Sequence, residues 1–273
     1  IFAMIFILVG LAFKVSAVPF HMWTPDVYEG SPTSVTSFFA IVPKIAGIAV
    51  FIRFMYSPFQ NIVDQWQYIL VFISIASMIL GAVAAINQKN IKRLIAYSSI
   101  SHMGYAIAGI STGTESGFKS TIIYILIYSA MNIGFFAFVF LMKRSGKYIE
   151  DINELSGISK NHPLAALSLL IVLFSLAGIP PLAGFFAKFY IFMSVIESGM
   201  YALAIIGLVT TVVSAFYYIR IVKVMYFDSP KKPFENFKNY GVYGSLIFSC
   251  IFLSSFFMYP SIFNGIISKI NIF

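Results

Sequence analysis

Three lysines stand where an ammonium is hard to place. Lys14, Lys44 and Lys188 lie inside long apolar stretches, and none of the ten carboxylates falls at comparable depth. An ammonium at the centre of a bilayer costs about 2.5–3.5 kcal/mol on insertion scales, and such groups usually mark ion pathways or proton relays. Lys44 sits some 11 residues from either end of the apolar run 33–56. At ~1.5 Å per residue both interfaces lie roughly 16 Å away, too far for its side chain to snorkel fully. The competing reading is a structural ammonium tied to backbone carbonyls.

The other two lysines are next to chain breaks. Lys14 lies in Phe13-Lys14-Val15-Ser16-Ala17-Val18-Pro19-Phe20-His21. Pro19 has no N–H, so the Val15 carbonyl loses its helical donor and the helix opens there. Opened backbone at membrane depth is tolerated only when buried in protein or lining water. The Lys14 amine, the freed carbonyl and the Ser16 hydroxyl are therefore expected to form a local polar site; otherwise the helix ends near Pro19 and Lys14 snorkels. Lys188 follows Ala177-Gly178-Ile179-Pro180-Pro181-Leu182-Ala183-Gly184. Here two prolines free the carbonyls of Leu176 and Ala177, and Gly184 relaxes the chain further. A kinked structural helix with an interfacial lysine is the alternative. Burial disfavours a charged amine and a nearby carboxylate favours it, so a buried lysine whose partner changes can load and release a proton.

His102 belongs to a second polar pattern. Ser98 and Ser99 precede it by four and three positions and Tyr105 follows by three, so all share one helix face. This reads either as a hydrated stripe joining the lysine sites or as helix-to-helix hydrogen bonding with a satisfied histidine. His21, beside Trp23, Pro25, Asp26 and Tyr28, suits interface anchoring, with a relay between Lys14 and water as a second role. Asn132 reads as helix packing.

The elements that position these groups follow from composition. Of 273 residues, 59% are hydrophobic and only 10% charged, with a mean hydropathy of +0.89; a soluble domain carries about a quarter charged residues. The apolar runs are too long for barrel strands, so the fold class is an all-α, multi-pass membrane protein. Eight segments are predicted, at 1–22, 33–56, 66–86, 91–111, 119–142, 163–196, 201–227 and 241–266. The sixth, about 34 residues long, is too long for one straight span, and with the first it is predicted to be discontinuous. Alternating spans sort twelve Lys and Arg, from Lys89, Lys92 and Arg93 to Lys231, Lys232 and Lys238, onto one side, against Arg53, Lys119 and Lys269 on the other. The positive-inside rule makes the first side cytoplasmic and puts both ends outside. The net charge of +8 then needs no nucleic acid. The first and sixth segments run in opposite directions, which points to inverted repeats with ion sites near the midplane. The loop Lys143–His162 reads as a short amphipathic piece on the cytoplasmic face, touching a partner. One cysteine, Cys250, and three scattered histidines leave no ligand set for an iron–sulfur cluster, a zinc site or a bis-histidine haem, so no cofactor is expected in this chain.

Three ordered stretches carry a family resemblance: 13–28, ending Met22-Trp23-Thr24-Pro25-Asp26-Val27-Tyr28; 90–105, Asn90-Ile91-Lys92-Arg93 through His102-Met103-Gly104-Tyr105; and 175–190, Ser175 through Phe189-Tyr190. Together they resemble the antiporter-like subunits of respiratory complex I, the proton-translocating NADH–quinone oxidoreductase. The Thr-Pro-Asp-Val-Tyr wording favours the subunit N family (mitochondrial subunit 2) over the sister pump subunits and the Mrp-type sodium/proton antiporters. The resemblance implies a fourteen-helix fold of two inverted five-helix repeats, with this chain as helices 7 to 14. Residues 1–56 would then end the first repeat, 66–227 form the second and 241–266 the C-terminal helix. It assigns the essential broken-helix lysine to Lys14, the connecting lysine to Lys44 and the exit lysine to Lys188. The family's helix-5 glutamate has no counterpart here, so the chain is expected to be a fragment or half of a split subunit that does not pump alone.

The function expected is that of a proton-translocating membrane subunit in a bacterial or mitochondrial inner membrane. Its partners would be neighbouring membrane-arm subunits and lipids, with NADH, flavin, iron–sulfur clusters and quinone handled elsewhere. A sodium/proton antiporter subunit and a non-pumping scaffold of the membrane arm are the alternatives.

Overall fold

The computed structural model describes residues 2–235, 239–259 and 265. Eleven α-helices follow in order among them: α1 Phe2–Val15, α2 Trp23–Gly30, α3 Thr33–Tyr56, α4 Val63–Ala85, α5 Ile91–Ser111, α6 Glu115–Leu141, α7 Ile158–Asn161, α8 Pro163–Ala177, α9 Ala183–Glu197, α10 Tyr201–Phe227 and α11 Tyr240–Ser255. Among the described residues five helical stretches are long and apolar enough to cross a membrane: Thr33–Tyr56, Gln60–Ala85, Glu115–Leu141, Tyr201–Phe227 and Tyr240–Met258. The architecture is a helical membrane bundle.

Helix α5 is the hub. Every one of its residues except Arg93 and Tyr97 is buried, and α2, α3, α4, α6, α9 and α10 all pack on it. A helix that meets no lipid is free to be polar, which explains why α5 is not among the five apolar stretches although it matches the predicted 91–111. Small residues set the approach. A Cβ on Gly81 of α4 would lie 2.5 Å from the Ser101 amide nitrogen and 2.7 Å from the Tyr97 carbonyl, so α4 and α5 touch backbone to backbone.

Two expectations are corrected. The first apolar run does not reach residue 22 as a helix. It stops at Val15, and after the turn at 16–22 the residues predicted to be an interfacial connection form α2. The helix resumes at Trp23 and tolerates Pro25 because that proline falls in its first turn, where a backbone amide has no helical acceptor. The loop 143–162 is not one amphipathic piece. It is a two-residue hairpin, Lys143–Arg144 against Lys147–Tyr148, then a 3₁₀ turn Ile152–Leu155 and α7. Gly157, at φ +63°, stops any longer helix, and Ile152, Leu155 and Ile158 are buried in this chain's own core. Lys92, one of the twelve cations sorted onto one side, is 2% exposed. Of the other expectations, Lys238, Lys269 and, apart from residue 265, the end of 241–266 beyond residue 259 lie outside the described residues.

Ion pairs gather at the end of the bundle where α5 begins. Lys92 Nζ lies 2.6 Å from Glu150 and donates to the Ser31 carbonyl at 2.8 Å. Arg93 reaches Asp26 at 2.6 Å and Glu29 at 2.8 Å, both on α2. Arg220 donates to the carbonyls of Ile86 and Gln88, at 2.5 and 2.6 Å. Glu154 joins Arg144, at 2.6 Å, to Lys231, at 2.7 Å.

Two outcomes follow. Gly81→Val places a side chain into backbone and should lower stability by about 1–3 kcal/mol or more, read as a lower unfolding temperature of the detergent-solubilised protein. Lys231 first, then Arg144, holds the Glu154 carboxyl below the usual carboxylate range. A carboxyl shifted down stabilises the folded form above the unfolded value and loses that contribution as pH falls through the folded one. Hydrogen exchange of amides 143–157, corrected for intrinsic rates, should therefore stay constant from about pH 7 to 5 and accelerate below about pH 4.

Candidate functional site

The first break is built by Pro19 and held from three sides. Ser16 turns the chain at φ +63°, the Val18 amide donates to Ser77 Oγ of α4 at 2.9 Å, and Trp23 Nε1 donates to the Phe13 carbonyl at 3.1 Å. The Val15 carbonyl is freed as the proline requires, and it accepts Lys44 Nζ at 2.6 Å. Lys44 is wholly buried in the middle of α3, where a Cβ on Gly47 would come within 2.7 Å of the Val15 side chain. The amine at this break is therefore Lys44, not the expected Lys14.

Lys14 is exposed on the outside of α1. The reason is geometric. Helical carbonyls point toward the C-terminus while side chains lean back toward the N-terminus, so Lys14 cannot turn onto the carbonyl that follows it. The Ser16 hydroxyl is buried at the break without a hydrogen-bond partner among the described residues. His21 is half-buried, with Nδ1 likewise without a hydrogen-bond partner among the described residues, so no hydrogen bond joins that nitrogen to Lys14.

The second break, 178–182, separates α8 from α9. Lys188 Nζ donates to the Leu176 carbonyl at 3.2 Å and the Ala177 carbonyl at 3.1 Å, the two that Pro180 and Pro181 leave without helical donors. Lying in the second turn of α9, its side chain leans back toward the break. A Cβ on Gly184 would stand 1.8 Å from the Ser175 carbonyl oxygen, so the second half-helix starts against the end of the first only because that residue is glycine. Ser175 Oγ accepts the Gly184 amide at 3.0 Å. Lys188 also stands 5.1 Å from the centre of the Tyr105 ring, in reach of its π-face.

Between the two lysines runs a buried polar cluster centred on α5. His102 Nδ1 shares a hydrogen bond with Tyr124 Oη at 2.7 Å, and Nε2 lies 3.4 Å from Tyr218 Oη. Tyr218 and Ser98 hydroxyls are 2.5 Å apart. Tyr105 Oη meets Thr211 Oγ1 at 2.9 Å and Thr210 Oγ1 at 3.1 Å. Toward Lys44, Tyr128 Oη donates to Ser99 Oγ at 2.9 Å, with the Ala40 carbonyl, one helical turn from Lys44, at 3.3 Å. Ser98 and His102 thus meet through Tyr218, and Tyr105 lies beside them by ring contact, its centre 6.3 Å from that of His102. Tyr124, Tyr128, Thr210, Thr211 and Tyr218, which complete the cluster, were missed. Their signal was present in α6, where Tyr124, Tyr128 and Asn132 recur every fourth residue, but one tyrosine in an apolar helix reads equally as packing. Asn132 does act locally, donating to the Tyr128 carbonyl at 2.9 Å. Among the described residues no group of three or more His, Cys, Asp or Glu is placed to hold a metal ion.

Each of the two interruptions of this helical membrane bundle thus seats a buried lysine amine on main-chain carbonyls. Residues 1–214 match the family described as NADH:quinone oxidoreductase/Mrp antiporter, TM, and the chain belongs to that family. Within it the chain is similar to NADH-quinone oxidoreductase subunit N. It is 62% identical over 271 residues to that protein from Pelagibacter ubique, covering 99% of this chain and 58% of the relative. To its counterpart from Parvibaculum lavamentivorans it is 53% identical over 261 residues, covering 96% and 54%. The chain thus spans a little over half the length of these relatives. Among solved structures, a chain of respiratory complex I from Thermus thermophilus superposes with a TM-score of 0.81 at 32% identity, covering 93% of this chain and 56% of that one. A chain of the Mrp complex from a Dietzia species superposes with a TM-score of 0.84 at 19% identity, covering 95% and 57%; that likeness concerns the fold alone. The resemblance read from the three sequence stretches is borne out.

Removing one hydroxyl tests how tightly the cluster is joined. Tyr124→Phe leaves a buried imidazole nitrogen without its partner, a loss of about 1–3 kcal/mol, which should appear as a lower unfolding temperature than that of Phe192→Leu, a buried change that breaks no hydrogen bond.

Proposed function

We propose that this chain is the proton-conducting part of a subunit N, passing protons from Lys14 to Lys44 and through the His102 cluster to Lys188. The observation that carries the reading is the pair of ammonium groups, each seated on carbonyls that proline leaves without a donor. In an apolar interior such carbonyls are among the few groups able to hold a charged amine. When either lysine gives up its proton, the neutral amine holds its carbonyl less strongly and the side chain is freer to move. Each seat therefore has two states that differ by one proton. The hydroxyls of Tyr128, Ser99, Tyr124, Tyr218 and Tyr105 both donate and accept, so a proton taken on one side is matched by one released on the other, and His102 offers a nitrogen at each face of the cluster.

Eight spans support this scheme best. They are α1 with α2, α3, α4, α5, α6, α8 with α9, α10 and α11, two of them discontinuous and oppositely directed, with 1–56 closing a first repeat, 66–227 forming its inverted counterpart and 241–266 following. The ion-paired end bearing Lys92, Arg93, Arg144 and Arg220 is then cytoplasmic, and the start of α1 and the end of α11 lie on the other side. Lys14 faces out of the bundle at membrane depth, so its partner is a carboxylate on an element packed against α1. The pump works inside a NADH–quinone oxidoreductase membrane arm, alongside neighbouring antiporter-like subunits and lipid. NADH oxidation and quinone reduction belong to other chains, and this one holds no cofactor.

In the assembled complex, Lys14→Ala and Lys188→Ala should each lower proton transfer per NADH oxidised severalfold while assembly stays normal. Unchanged transfer would reject the relay. Failed assembly with normal transfer in the surviving fraction would favour a scaffold, and a sodium requirement in proteoliposomes would favour cation exchange of the Mrp kind.

A further inference from the structure

A groove between α8 and α11 belongs to neither lysine seat. It holds about 430 Å³, and Leu164, Leu167 and Ile171 of α8 face Leu246, Ile247 and Ile251 of α11 across it. Leu164, Leu167, Ile247 and Ile251 are exposed, so the groove opens on the outside of the bundle. The polar groups deep in its wall are spent within the chain. Ser168 Oγ donates to the Leu164 carbonyl at 2.9 Å, and Cys250 Sγ donates to the Ser168 carbonyl at 3.7 Å. Such a wall offers a neighbour apolar contact and little else.

The groove has a definite length and a polar mouth. From Leu164 to Ile171, and from Tyr243 to Ile251, the rise of ~1.5 Å per residue gives roughly 10–12 Å, within the ~15 Å apolar depth of a single leaflet. The chain entering α11 is tied to the ion-paired end of the bundle, where Lys231 meets Glu154 and Glu235 accepts the Gly146 amide at 2.9 Å. Toward that end the groove shares Ala165 and Tyr243 with a narrower cleft past His162 and Phe234, and this one continues to a hollow beside Lys232. The Glu154 carboxylate there is taken up by Arg144 and Lys231. Lys160 and Lys232 are exposed and, among the described residues, stand in no ion pair. His162 stacks on Phe234 with ring centres 6.5 Å apart, and its buried Nε2 has no hydrogen-bond partner among the described residues.

We propose that this groove binds an anionic phospholipid of the leaflet at the ion-paired end. One acyl chain lies between α8 and α11, and the phosphate sits at the mouth on Lys160 and Lys232, accepting from His162 Nε2. Charge and length both select this occupant. A phosphate without a balancing amine meets two cations that no carboxylate neutralises, and an acyl chain meets an aliphatic wall of leaflet depth. Tyr243 stands at the junction of the two, the level at which interfacial tyrosines sit. A neighbour's transmembrane helix runs the full ~30 Å of the hydrocarbon core, more than twice the length of this groove. Helix α8 ends at the Leu176 and Ala177 carbonyls that hold Lys188, so the bound chain braces the half-helix that forms the second seat.

The test places the complete complex in phosphatidylcholine vesicles containing phosphatidylglycerol with a photoactivatable diazirine on its acyl chain, and locates the adducts by mass spectrometry. Adducts should concentrate on 164–171 and 243–251. Excess unlabelled phosphatidylglycerol should remove them, and the same amount of zwitterionic phosphatidylethanolamine should not. Lys160→Gln with Lys232→Gln should lower them severalfold, and Leu167→Trp, which fills the groove from an exposed position, should clear both segments. Equal displacement by the two lipids marks ordinary boundary lipid and overturns the proposal. So does an absence of adducts from both segments, which marks a neighbouring subunit lying over the groove. Should the lysine pair not assemble, Leu167→Trp decides, and unchanged labelling in it overturns the site. The labelling reads no proton transfer, so its result is separate from that of Lys188→Ala.

Discussion

An ammonium inside an apolar bundle must find oxygen, and here the oxygen comes from the main chain. A regular helix spends every carbonyl on its own fourth-next amide, so it has none to give. Proline cancels that amide at a chosen place. Pro19 releases Val15, and Pro180 with Pro181 releases Leu176 and Ala177; each released oxygen accepts a buried lysine. Break and charge are thus mutually required. Without the amine the carbonyls would lie unsatisfied at membrane depth, and without the break the amine would have no seat.

The two seats are built differently. At the second, the lysine belongs to the half-helix that begins after the break, and helical side-chain tilt returns it to the carbonyls behind it. At the first, the lysine is borrowed from α3, and its reach depends on α1 and α3 touching at Val15 and Gly47. The first seat therefore responds to any shift between two helices, whereas the second is set largely within one. That difference gives a relay two unlike ends, one coupled to helix packing and one to local geometry.

Helix α5 ties the seats together because it is shielded from lipid on all sides. Polar side chains on it find partners on neighbouring helices in place of water, which is why Ser98, Ser99, His102 and Tyr105 form a connected cluster without unfolding the helix. At its start, Lys92 and Arg93 clamp the end of α2 and the 150–152 loop, so the half-helix after the first break is anchored to the same element that carries the histidine.

Much of this is legible in the residues alone. Hydropathy marks the helices, and the predicted 91–111 and 201–227 match α5 and α10 residue for residue. Proline chemistry names the carbonyls that are freed, and the tilt of side chains assigns Lys188 to its seat. These depend on covalent structure and on interactions within a turn or two. Tertiary structure alone decided which amine takes the Val15 carbonyl, that Lys14 faces outward, that Lys92 is buried, and that Tyr124, Tyr128 and Tyr218 converge on His102. Each of those depends on which helices touch and at what rotation, a matter of contacts between residues 22 to 116 positions apart, and no local pattern encodes it.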